Sequence, residues 1–250
     1  MIRLETQGEM ARLVLDRPEV RNALAIAHWE EIAAKVAGLA GSPVRLLVVS
    51  GAGGAFCAGA DLAEFPLLQT DEAAQPRFRA AMGAAMDAVL ALPIATLAHV
   101  QGPCFGAGVA LAMACDLRVA SKEARFAITP AKIGIGYPQG DIARLVSLVG
   151  PGWAARLLFT GSPIDAATAE RIGLIESVVG GGEADQLIAD LLACDPGSIA
   201  MLKRGIALAE GGIARDDEQD RRFDSLFGSP ALVERLSRRS AGRALPPTAR

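Results

Sequence analysis

The sequence is poor in the residues from which metal and disulfide sites are built. Its four cysteines, Cys57, Cys104, Cys115 and Cys194, stand apart in 250 residues, without a CxxC pair or zinc-ribbon spacing. Two histidines, His28 and His99, have no second ligand one helical turn away, so no metal site is expected. Neither charge sign dominates: 25 basic against 28 acidic side chains leave a net −3. Nucleic-acid binding needs a basic face to neutralise phosphates, and none is advertised. The longest apolar runs, such as Ala107–Ala114, fall short of the roughly 20 residues that cross a bilayer, and no membrane association is expected. Arg3, Glu5, Glu9, Arg12, Asp16, Arg17 and Glu19 leave no hydrophobic leader in the first twenty positions, which points to a cytoplasmic protein. Aromatic residues make up only 4%, with a single tyrosine, Tyr137.

What is abundant is core material. Hydrophobic residues reach 51% and charged ones 21%, which excludes a disordered or fibrous chain. At this length one large domain, or a domain with an appendage, is expected. Arg3-Leu4-Glu5 and Ala11–Leu15 read as two strands around a Gly8 turn. Ile26, Trp29, Ile32, Ala33, Val36 and Leu39 recur at helical spacing until Gly41 and Pro43. Leu46–Val49 is a continuous apolar run, as in a strand covered on both faces. The cycle repeats with a helix over 76–91, a strand over 94–100, a glycine loop over 102–108, a helix over 109–115 and a strand over 116–120. Helices are expected from about 141 to 240, with one strand over 175–179, a helix over 142–149 and a loose tail from Ser240 to Arg250. The expected division is an α/β core over 1–190 and a helical C-terminal region over 191–250.

Two loops share a plan: Phe56-Cys-Ala-Gly-Ala-Asp-Leu62 and Gly102-Pro-Cys-Phe-Gly-Ala-Gly108 each follow a strand with small residues. Small side chains permit close backbone approach, and free N–H groups at a helix start attract negative charge. Side by side, two such loops could aim two amides at one oxygen; singly, each reads rather as a tight packing turn. A Walker A loop is excluded by the lack of GK[ST], and Gly51-Ala-Gly-Gly lacks the dinucleotide spacing.

In order along the chain, Asp16-Arg17-Pro18 through Asn22-Ala23-Leu24, Gly59-Ala60-Asp61-Leu62, Gly106-Ala107-Gly108, Cys115-Asp116, Thr129-Pro130, Gly134, Arg144-Leu145 and Thr160-Gly161 resemble the successive signatures of the crotonase (enoyl-CoA hydratase/isomerase) superfamily. The resemblance runs from about residue 3 to 180. It implies a spiral of ββα units with a helical C-terminal trimerisation region, a homotrimer or hexamer, and an acyl-CoA thioester as ligand. It implies no cofactor beyond the coenzyme A of that substrate. It places an oxyanion hole at the N–H groups of Ala60 and Ala107, with coenzyme A along Arg21, Ala23 and Leu24 and along Ala58, Ala60, Asp61 and Leu62. The family usually has glycine where Ala107 stands; alanine keeps the N–H if the local φ suits a Cβ. Arg17 and Arg21 become neighbours of the phosphates or, equally, solvated loop arginines.

The sequence departs from the hydratase pattern where the chemistry is done. The two glutamates that serve as acid and base in family hydratases fall on Ala110 and Ala131, the latter after a one-residue insertion beyond Phe126. Losing one general acid or base typically costs about 10²–10⁴-fold, which argues against glutamate-pair hydration. Thr129-Pro130 through Gly134 and Tyr137 resembles a segment of methylmalonyl-CoA decarboxylase, in which the tyrosine borders the acyl pocket. Tyr137 is thus a candidate catalytic residue or a packing residue. Asp141 is a candidate too, or an N-cap of the helix over 142–149. Asp61 reads as a cap of its loop, Glu64 as pocket rim or solvated face, and Phe56, Phe105 and Phe126 as core or pocket wall. Cys57 and Cys104 lack a histidine partner for nucleophilic chemistry. The C-terminal charge pattern, Arg215 to Arg222 and Glu234 to Arg239, suits helices packing on a neighbour, or on each other, through Phe223, Leu226 and Phe227. The reading is an enzyme, a lyase or isomerase of the enoyl-CoA hydratase/isomerase type; a methylmalonyl-CoA-type decarboxylase or a weakly catalytic acyl-CoA-binding protein is the alternative.

Overall fold

A computed structural model describes residues 1–241, with side chains described to Ser237. The chain divides into two compact units, 1–192 and 193–250, two residues beyond the expected boundary.

The first unit starts as a hairpin. Strands β1 (Ile2–Gln7) and β2 (Met10–Leu15) pair antiparallel around Gly8, whose φ of 59° only glycine adopts freely. Helix α1 (Ile26–Ala37) follows and buries Ile26, Trp29, Ile32 and Val36. Its start lacks the usual Ser or Asp cap; instead Nδ1 of His28 accepts from the Ala25 N–H and Oε2 of Glu64 from the Ile26 N–H. Strand β3 (Leu46–Gly51) is central, with Leu46–Val49 fully buried, as the apolar run requires. After a short helix α2 (Phe65–Thr70), the long helix α3 (Ala74–Ala91) packs on α1 through Ala81, Met82, Ala85, Met86 and Val89.

Strand β4 (Ala95–Val100) runs beside β3, and a three-residue strand, β5 (Pro103–Phe105), occupies part of what the sequence suggests is loop. Helix α4 (Ala107–Ala114) therefore starts at Ala107 rather than Val109, and every one of its residues is buried. Strand β6 (Leu117–Ala120) returns parallel to β4, and β7 (Arg125–Ala127) joins β5. Helix α5 (Gln139–Thr160) is followed by β8 (Ile164–Asp165), α6 (Ala166–Arg171), β9 (Ser177–Val178) and α7 (Glu183–Ala193). By length and composition α5 could cross a membrane, but Gly150 (φ 73°) and Pro151 break it into two shorter segments.

The six-stranded sheet has the order β1-β2-β3-β4-β6-β9, parallel except for the opening hairpin. A second sheet, β5-β7-β8, stands apart from it. Strands β7 and β8 are too short to give a pattern in sequence, and β9 is shorter than expected. Polar cross-links pin the parallel strands. Asp116 accepts from both the N–H and the hydroxyl of Thr96, at 2.8 and 2.9 Å. Arg118, only 4% exposed, pairs with Glu176 and donates to the Leu174 and Cys115 carbonyls.

The second unit comprises α8 (Pro196–Glu210), α9 (Asp217–Leu226) and α10 (Pro230–Ala241). Arg204 joins α8 to the α9 cap Asp216, and Phe223 meets Phe227 edge to face at 5.1 Å. Phe223, Phe227, Leu202 and Ile206 stay more than half exposed. Of the expected tail, Ser240 and Ala241 close α10, and 242–250 lie outside the described residues.

Candidate active site

The two glycine loops meet in the first unit. The Cys57 segment bridges Cys104, with the Phe105 N–H donating to the Cys57 carbonyl at 2.8 Å. Two glycines allow this approach. A Cβ on Gly108 would lie 2.6 Å from the Cys57 carbonyl oxygen, and one on Gly59 (φ 99°) would lie 2.8 Å from that of Phe105. On its other side the Gly59–Asp61 strand pairs with Leu24, through Leu24 N–H to Gly59 O at 2.8 Å and Asp61 N–H to Leu24 O at 3.0 Å. That pairing leaves the Ala60 N–H facing away. Gly106, at φ 51° and ψ −119°, turns the chain into α4, so Ala107 takes the first helical position, where no intrahelical acceptor exists. Ala107 is not among the positive-φ residues, so its Cβ is carried without strain. Among the described residues, neither the Ala60 nor the Ala107 N–H donates to another group.

Both alanines line one cleft of about 420 Å³. Ala58, Leu62, Phe65, Phe78, Met82, Ile133 and Ile135 make its wall apolar, with Arg79, Thr129 and Tyr137 as its polar side chains. Two free amides at a cleft with apolar walls are suited to an oxygen that gains negative charge, because low polarity strengthens each hydrogen bond.

The loops are braced from below. Asn22, fully buried at φ 58°, accepts from the Arg17 N–H and donates to the Ala52 and Ala55 carbonyls at 2.9 and 2.8 Å. Asparagine tolerates this left-handed conformation better than most residues. Arg17 donates to Asp61 at 2.8 Å and to the Ala23 carbonyl at 2.6 Å, so it braces the loop rather than standing solvated. The guanidinium, with the Ala63 N–H, holds the Asp61 carboxyl below its usual range; Asp61 caps its loop as expected. Arg21 is exposed, at φ 51°. The Cys57 thiol donates to the Asn22 carbonyl and accepts from the Gly59 N–H, and burial pushes its pKa up to about 12. Burial raises the Cys104 thiol as well, so both cysteines are loop struts rather than nucleophiles.

The remaining candidates separate. Tyr137 lines the cleft and donates its hydroxyl to the Gly106 carbonyl at 2.9 Å. Burial first, then the Asp141 charge, raises its pKa well above the usual phenol value, so the hydroxyl stays protonated. Asp141 is no helix cap: α5 begins at Gln139, and Asp141 sits in its first turn, paired to Arg144 at 3.2 Å. Burial raises its carboxyl against the pull of Arg144. It is not among the cleft-lining residues, and neither are Arg21, Ala23, Leu24 or Asp61. Glu64 is neither rim nor solvated face, since it caps α1. Phe56 and Phe126 are core, and Phe105 is half-buried outside the cleft wall. Ala110 is wholly buried in α4 and Ala131 exposed; neither carries an acid. Phe78 and Arg79 end the 64–79 stretch on which sequence reading makes pocket shape depend; Met82, one turn further along α3, is missed because only folding brings that helix to the loops.

This ββα architecture with its paired loops defines a crotonase-like α/β protein. The enoyl-CoA hydratase/isomerase profile matches residues 5–207, and the chain belongs to that family. It is 32% identical over 234 residues to the probable enoyl-CoA hydratase echA6 of Mycobacterium tuberculosis, covering 92% of each chain. It is 38% identical over 179 residues to the crotonyl-CoA hydratase of Syntrophomonas wolfei, covering 70% of this chain and 68% of that protein. An enoyl-CoA hydratase/isomerase family protein from Hyphomonas neptunium superimposes with a TM-score of 0.89 at 36% identity, covering 100% of this chain and 98% of the other.

Proposed function

We propose that the protein is an enzyme on acyl-CoA thioesters, a lyase or isomerase, that stabilises a thioester enolate between the N–H groups of Ala60 and Ala107. The observation that carries this reading is that two unpartnered amides line one apolar cleft. As charge develops on the thioester oxygen, both hydrogen bonds strengthen, and their fixed positions require no reorganisation. Coenzyme A lies along Ala58–Leu62 and the Arg21–Leu24 segment. No resident cofactor is needed. The chain belongs to the branch without the hydratase glutamates, since Ala110 and Ala131 can neither take a proton nor orient water. It assembles as a trimer or a pair of trimers, a reading supported by the exposed apolar residues of α8–α10, and works in the cytoplasm without membrane or nucleic-acid partners.

Tyr137 at the cleft favours decarboxylation of a methylmalonyl-type thioester as a second reading. There the bond from the α-carbon to the carboxylate breaks, its electron pair forms the enolate and carbon dioxide leaves. The α-carbon then takes a proton from the Tyr137 hydroxyl, which solvent reprotonates. Calorimetric titration with acetyl-CoA, followed by mass spectrometry of crotonyl-, methylmalonyl- and β-hydroxyacyl-CoA incubations, tests both. Binding with a product other than hydrated crotonyl-CoA is expected. Hydration at ordinary hydratase rates overturns the reading of Ala110 and Ala131, binding without product leaves an acyl-CoA-holding protein, and no binding overturns the ligand.

A further inference from the structure

Arg79 is the only charged side chain lining the cleft among the described residues. It stands on the α3 face that also carries Phe78 and Met82, against walls made by Phe65 and Ile133. Helix α3 offers it no acid: three and four residues away stand Pro76, Gln75, Met82 and Gly83. Arg79 is exposed and forms no salt bridge among the described residues, whereas Arg77 pairs with Glu30, Arg17 with Asp61 and Arg144 with Asp141. An unpaired guanidinium at an apolar cleft is a mismatch for a plain hydrocarbon chain. Its planar fork matches a carboxylate, which it can grip with two hydrogen bonds.

We infer that the acyl group of the substrate carries a carboxylate that Arg79 binds: the ligand is the monothioester of a dicarboxylic acid. This rests on the acyl-CoA reading above and narrows it. The carboxylate is one retained beyond the α-carbon, not one lost in the reaction. A cation gripping a departing carboxylate would stabilise the ground state more than the transition state, because charge leaves the carboxylate as carbon dioxide forms.

Succinyl-CoA and butyryl-CoA have four-carbon acyl chains that differ in a terminal carboxylate against a methyl group. Calorimetric titration of both, with free coenzyme A as control, into the wild-type protein and Arg79→Met provides the test. The wild type is expected to prefer succinyl-CoA by about tenfold, and Arg79→Met to lose that preference while keeping its affinity for butyryl-CoA and coenzyme A. Arg79→Lys, which keeps the charge but not the fork, is expected to retain part of it. Equal wild-type affinities, or a preference that survives Arg79→Met, overturn the inference while leaving the acyl-CoA reading intact. Equal weakening of all three ligands by Arg79→Met also overturns it, by placing Arg79 on a coenzyme phosphate. Failure of all three to bind the wild type overturns the acyl-CoA reading and this inference with it.

Discussion

The two loops that present the free amides reach the same cleft by different means. The loop carrying Ala60 adds side-chain braces to its backbone pairing with Leu24: the Cys57 thiol, the Asn22 amide and the Arg17–Asp61 ion pair. The loop carrying Ala107 is held by backbone. Gly106 N–H donates to Ala127 O at 2.8 Å, Phe56 and Cys57 N–H groups donate to Pro103 O, and Gly108 lies against Cys57. The Tyr137 hydroxyl on the Gly106 carbonyl adds a side-chain tether. The difference teaches where each loop is vulnerable. The first fails when a polar group is removed, and both fail when a methyl group is added, at Gly59 or at Gly108.

The largest effect is expected from Asn22→Ala. It strands the Ala52 and Ala55 carbonyls and the Arg17 N–H, and places alanine at φ 58°. About 3–4 kcal/mol of stability should be lost, a drop in Tm of about 2–4 °C per kcal/mol that calorimetry would measure. Gly108→Ala attacks the other loop. Its Cβ would meet the Cys57 carbonyl at 2.6 Å, so about 2 kcal/mol is expected from forcing the loops apart, together with weakened acyl-CoA binding by titration. If Gly108→Ala is neutral in both, the close-approach account of the second loop fails.

Smaller effects sharpen the contrast. Arg17→Met should cost about 1 kcal/mol, since water reaches part of the ion pair; a double-mutant cycle with Asp61→Asn should show coupling, whereas a cycle of Arg17→Met with Gly108→Ala should show far less. The smallest effect concerns pH. Burial, and then Arg17, lower the His28 pKa, and its neutral Nδ1 accepts from the Ala25 N–H. The unfolded chain therefore takes up the proton first as pH falls. The stability this group contributes is full above the unfolded value of about 6.5 and is lost as pH drops through the lower folded value. His28→Gln should flatten that part of a Tm-against-pH curve, without moving the curve above pH about 8.

Much of this was legible in the residues, for reasons that the loops illustrate. The runs Leu46–Val49 and Ile94–Val100 and the α1 stripe follow from hydrophobic period, and the glycines at 59 and 108 mark close approach before any fold is known. Strands β7 and β8, at three and two residues, hold no periodic signal; β5 offers an edge to β7, and β7 offers one to β8. Asp141 has the composition of a cap, yet Pro138 starts the helix three residues earlier and turns it into a partner for Arg144. Glu64 caps α1 from 38 positions away, and Met82 reaches the cleft on a helix far in sequence from Gly106. Such long-range pairings leave no local trace.

The central claim is that two amides polarise one thioester oxygen, and vibrational spectroscopy reads this without knowing the reaction. Ala107 occupies the first helical position, where proline keeps the helix and puts a non-donating ring carbon in place of the amide hydrogen, so Ala107→Pro deletes one donor. Difference infrared spectra of carbonyl-labelled butyryl-CoA should show the thioester stretch shifted to lower frequency on binding to the wild type. The shift should be roughly halved in Ala107→Pro, with Tm little changed. An unshifted carbonyl in the wild type, or an equal shift in Ala107→Pro, would contradict the account.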